Sequence, residues 1–173
     1  MASPAADRGS APGRQAVLAM VVLAAALAAF AVWFQWNQTK RCLALYGPAM
    51  AHAIQDAKRV ELWSLDADGG RQRMVTARDV SQAPGLVHLR RGLVEDANFA
   101  WEQASGDRLP AAAWDTALAF YGVASSEPLA VVAFDLDDPG WLTVVGRPGR
   151  IGLGRLAKGL RTWIRATTDG ERR

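Results

Sequence analysis

Nineteen consecutive residues, Ala16 to Phe34, are all apolar and include no charge, proline or glycine. As a helix this run extends about 28 Å at about 1.5 Å per residue, close to the ~30 Å of a bilayer's hydrocarbon core. A small domain rarely encloses such a run on every face, so it reads as a membrane span rather than a buried soluble helix. Trp33 and Trp36 mark the far end and Arg14 the near end, the positions that interfacial side chains favour. A cleavable signal peptide is the competing reading. Arg8 and Arg14 would form its n-region, and Ala26-Leu27-Ala28 or Ala29-Phe30-Ala31 its cleavage pattern. The apolar run continues past both sites into Val32-Trp33-Phe34, which favours an uncleaved signal-anchor.

Arg8 and Arg14 before the span balance Lys40 and Arg41 after it, so the charge rule for orientation ties. A short tail followed by a signal-like segment predicts a single-pass protein of the cell membrane with its folded part outside the cytoplasm. The expected organisation is a disordered tail over 1–14, an anchor over 15–36 and a juxtamembrane helical segment over 37–58. A soluble domain over 59–168 and a flexible tail over 169–173 complete it. A chain of 173 residues with one such anchor is too short for a multidomain enzyme, a repeat array or a polytopic transporter. One cysteine excludes an internal disulfide, and one cysteine with two histidines argues against structural zinc. The net charge of +3 demands no nucleic acid. No cofactor is expected.

Beyond the span, Leu43, Tyr46, Met50, Ala53, Ile54 and Ala57 recur at helical spacing, interrupted by Gly47-Pro48. This predicts a short helix and then another over about Pro48–Lys58. Val60–Leu65 and Arg71–Thr76 flank the turn Asp66-Ala67-Asp68-Gly69-Gly70 and predict a hairpin. Ser81 is the expected cap of a helix that runs to about Asp96 on Leu86, Leu89 and Leu93, with Arg91 and Glu95 as an i,i+4 pair. Asn98 to Ala113 reads as a long loop. Strands follow at Trp114–Tyr121, Leu129–Phe134 and Trp141–Val145, then a helix over Leu153–Ala166. The fold class is α+β: a two-layer domain of about five mostly antiparallel strands covered by three helices.

The candidate chemistry is sparse. Gly152-Leu153-Gly154-Arg155-Leu156-Ala157 matches G-x-G-x-x-A, but no second strand or acidic residue follows, so it predicts a tight connection rather than a dinucleotide site. Asp135 to Gly140 holds three acids, but Gly146 stands where a calcium loop needs its bidentate glutamate. Cys42 beside Lys40 and Arg41 suits an intermolecular disulfide of a homodimer, or a free thiol. The last helix carries the most specific polar feature. Arg155, Lys158, Arg161 and Arg165 lie opposite its apolar stripe and are candidate contacts for an acidic protein partner or anionic lipid.

The order of anchor, helix, hairpin, helix and a final three-strand-plus-helix segment resembles small bacterial membrane-tethered proteins with no assigned activity. The likeness rests on Gly47-Pro48 before a helix, on Val60-Glu61-Leu62-Trp63, on the Leu86–Asp96 helix and on Phe134-Asp135. It implies no activity and transfers no site residue. The expected function is a non-enzymatic interaction or sensing module anchored by one span. The alternative is a small-molecule-binding or hydrolytic domain exported by a cleaved signal peptide.

Overall fold

The computed structural model describes residues 11–68, 71–105 and 114–169. Contacts divide the chain into two units, one ending at Gln38 and the other running from Thr39. The first contains α1 (Ala11–Asn37). Its stretch Gly13–Phe34 is long and apolar enough to cross a membrane, and none of it is buried against protein. The helix already includes residues 11–14, expected as tail; residues 1–10 lie outside the described residues.

The second unit is α+β, as the pattern predicts. Its elements are α2 (Lys40–Tyr46), α3 (Pro48–Asp56), β1 (Arg59–Asp68), β2 (Arg71–Asp79), α4 (Leu86–Leu93), a 3-10 turn (Asp96–Asn98), β3 (Ala100–Ser105), β4 (Thr116–Tyr121), β5 (Pro128–Asp135), β6 (Trp141–Val144), β7 (Arg150–Gly152) and α5 (Leu156–Asp169). The strands form one sheet in the order β2-β1-β4-β5-β6-β7-β3, and every neighbouring pair is antiparallel. Among the described residues, seven strands replace the expected five or so. β7 is three residues long, too short to show alternation. β3 occupies part of the expected Asn98–Ala113 loop, and residues 106–113 lie outside the described residues. As an edge strand with a register irregularity against β7, β3 needs no continuous apolar run.

Strand side chains alternate between two faces. Val60, Leu62, Leu118, Phe120, Val132, Phe134, Leu142, Val144 and Ile151 join the main core, where they meet Ile54, Leu86, Leu89, Leu93, Leu160 and Ile164 from the helices. Cys42 and Tyr46 are in this core too, both fully buried, so α2 and α3 belong to the folded unit rather than to a separate juxtamembrane segment. Gly47 makes the α2–α3 corner possible. Its φ of +73° is open to glycine, and Pro48 then starts α3 with its ring-fixed φ.

The expected cap of α4 is corrected. Ser81 sits five residues before the helix, and its hydroxyl donates to Asp79 Oδ1 (2.5 Å) and accepts from Val60 N–H (2.9 Å), tying the end of β2 to β1. Pro84-Gly85 delays the helix, and Gly85 takes the N-cap position in a left-handed conformation. The expected Arg91–Glu95 pair is also absent among the described residues, since Glu95 Oε2 accepts from Asn98 Nδ2 at 3.1 Å. The last helix starts at Leu156 rather than Leu153, whose buried side chain sits in the turn before it.

Candidate functional site

The basic residues after Trp141 do not act as one group. Arg161 is drawn inward: its Nε donates to Leu136 O (2.6 Å) and its Nη2 to Asp137 O (2.9 Å), so α5 clamps the β5–β6 connection. Arg147 donates to Leu45 O at 3.0 Å, and Arg150 stacks over Trp141 at 4.4 Å. Arg155, Lys158 and Arg165 remain exposed, with no ion pair among the described residues. The expected four-residue basic face is thus a three-residue one. On α1, Trp33 and Trp36 are 59% and 71% exposed, and Arg14 is exposed one helical span away.

Cys42 is enclosed. It lies in α2, whose N-terminus is capped not by a local side chain but by Asp96, from the far side of the hairpin and α4. Asp96 Oδ2 accepts from Arg41 N–H (2.8 Å) and Oδ1 from Cys42 N–H (2.7 Å). The Asp96 carbonyl in turn accepts from Trp101 Nε1 (2.7 Å), and Arg41 lies over the Trp101 ring at 5.9 Å. Burial, then the hydrogen bond to Asp96, push the Cys42 thiol far above its ordinary pKa. With 0% exposure and a suppressed thiolate, the intermolecular disulfide anticipated for Cys42 has no accessible sulfur in this fold. Tyr46, one turn on, is also fully buried, and its hydroxyl has no hydrogen-bond partner among the described residues.

The remaining motifs are structural. Gly154, with φ +51°, lies against the backbone of 98–100, where an added Cβ would stand 2.9 Å from Ala100 N and from Asn98 O. The G-x-G spacing serves this close passage. In the acidic turn Asp135 Oδ1 accepts from Asp137 N–H at 3.0 Å. His52 pairs with Asp56 at 2.8 Å on the exposed face of α3, and His88 is exposed on α4.

The sequence reading missed the second face of the sheet. Trp114, expected in a strand, instead precedes β4 and packs with Ala117 and Ala133, bordered by Trp63, Leu65, Val131 and Trp141. Among the described residues, no helix contributes to this cluster. The alanines opposite one another on β4 and β5 leave room for the indole. Beside it, Glu61 Oε2 accepts from Trp63 Nε1 (3.0 Å) and Tyr121 Oη (2.7 Å), while Arg59 lies 3.9 Å over the Tyr121 ring. Burial and the Glu61 carboxylate push Tyr121 up to about 12. The available signal was the period-2 set Arg59, Glu61, Trp63 on β1.

No protein-family model, curated protein or solved structure matches this chain in the comparisons made.

Proposed function

We propose that this chain is a single-pass, membrane-anchored interaction or sensing module, with its folded unit outside the cytoplasm and no catalytic role. The observation that carries the reading is the uncovered apolar surface of α1. Val17, Leu18, Met20, Val21, Val22, Leu23, Leu27, Phe30, Val32 and Trp33 are all more than half exposed. Burying one such side chain is worth roughly 1.5–3 kcal/mol, so ten of them exposed to water are untenable and lipid is the natural cover. The folded unit from Thr39 has its own core and does not need the helix to complete it.

The partner is an acidic protein surface or anionic headgroup, contacted through Arg155, Lys158 and Arg165. Mass spectrometry of the membrane-extracted chain tests the anchor. An intact N-terminus supports it; a mature chain beginning near residue 31 supports the exported alternative instead. Protease protection in spheroplasts then reports the side of the membrane. Changing Arg155, Lys158 and Arg165 together to Glu tests the contact: unchanged crosslinking and unchanged retention on anionic vesicles would remove it.

A further inference from the structure

Between α3 and α4 lies a cleft of about 280 Å³ lined by Gln55, Val87, Arg90 and Arg91. Its size suits a small acid rather than a large cofactor. Arg90 is fixed there by its Nε, which donates to Ile54 O at 2.6 Å. Its Nη2 is enclosed without a hydrogen-bond partner among the described residues. Burial lowers the Arg90 pKa from its ordinary value, opposed by the charge of Asp56. Asp56, the acid whose charge acts on Arg90, also pairs through its Oδ2 with His52 Nδ1 at 2.8 Å. Arg91, exposed on the next position of α4, has no ion pair among the described residues because Glu95 is held by Asn98.

We propose that this cleft is a binding site for a small oxyanion, phosphate or carboxylate, held by the Arg90 and Arg91 guanidiniums. Planar guanidinium forks match both anions, and such charge-assisted hydrogen bonds are the strong ones. The Gln55 amide adds a neutral donor at the wall, and Val87 offers an apolar edge to a short carbon chain. This site uses none of the residues of the α5 contact and stands or falls separately from it.

The test titrates inorganic phosphate, and separately succinate, into the ¹⁵N-labelled full chain in phosphatidylcholine nanodiscs at constant ionic strength. The expected result is saturable shifts at the amides of Gln55 and residues 87–91. Arg91→Gln leaves the Arg90–Ile54 bond intact and should weaken binding on the order of tenfold without lowering the melting temperature. Val87→Glu, at an exposed rim position, should weaken it as well. Nanodiscs of phosphatidylglycerol separate the sources. Shifts at the same amides without added anion identify a lipid phosphate as occupant; shifts only on titration identify a soluble one. No saturable response to either anion, or equal affinity in Arg91→Gln, overturns the proposal.

Discussion

Asp96→Ala isolates a long-range helix cap. The seven-residue helix α2 has no side-chain cap of its own, and its first free N–H groups depend on a carboxylate 54 and 55 residues away. Replacing a capping carboxylate costs about 1–2 kcal/mol, and hydrogen bonds to a charged acceptor reach about 1.5–3 kcal/mol. With two such bonds lost and the Cys42 amide half-buried, about 2 kcal/mol is the expected loss. In a unit the size of Thr39–Arg173 this lowers the melting temperature by roughly 6–10 °C. The same 2 kcal/mol raises the population of locally open α2 roughly thirtyfold, and Cys42 reaction with a soluble thiol reagent should accelerate in proportion. Asp96→Asn keeps one acceptor oxygen and should fall between. Circular dichroism on the full chain in detergent gives the first quantity and thiol labelling kinetics the second. If Asp96→Ala melts within a degree of the parent and Cys42 stays equally unreactive, the carboxylate is not what holds α2.

Alkaline titration gives a second prediction. Both tyrosines, Tyr46 and Tyr121, are raised, Tyr121 to about 12, against an unfolded value near 10. Their contribution to stability is therefore complete below about pH 10 and is lost as pH rises toward 12. Absorbance near 295 nm should show no tyrosinate at pH 10; half-ionisation of one tyrosine there would contradict the buried placement. Glycine substitutions on the last segment should have opposite signs. Gly154→Ala forces a Cβ into backbone at 2.9 Å with φ +51° and should destabilise by more than about 2 kcal/mol, whereas Gly159→Ala, in α5 with nothing within 4 Å, should stabilise by about 0.5–1 kcal/mol. Denaturant midpoints that move the same way for both would refute this. Leu160→Ala removes a fully buried side chain from the α5 interface and should cost about 2–5 kcal/mol; a loss under 1 kcal/mol would mean α5 is not docked as described.

Much of the fold was legible because it follows from local periodicity. The span showed in an unbroken apolar run, α3 and α5 in 3.6-residue stripes, β4 in alternation and β5 in an apolar run long enough for a central strand. β3 and β7 were not legible. Edge or very short strands are defined by their partner's backbone, and Ala100–Ser105 holds its place only because Gly152 and Arg150 lie beside it. Ser81 illustrates a related failure: its hydroxyl suits a helix cap as well as a bridge to Val60, and only the return of β1 next to β2 selects the bridge.

Charge placement divides along the same line. That α5 is basic, and that α1 is apolar on every side, are properties of the sequence, since they require only a helix. Which cations are free is a tertiary matter. Arg161, one of the four candidates, is held by two carbonyls that the β5–β6 connection brings to it, and Arg147 is likewise held by the last turn of α2, so both are structural. Conversely, Arg90 and Arg91, unremarkable in a list of residues, face one cleft only because α3 packs beside α4. Hydrophobic pattern acts over neighbouring residues and survives in sequence. Hydrogen-bond partners 24 to 102 residues apart are chosen by packing, and no local signal records them.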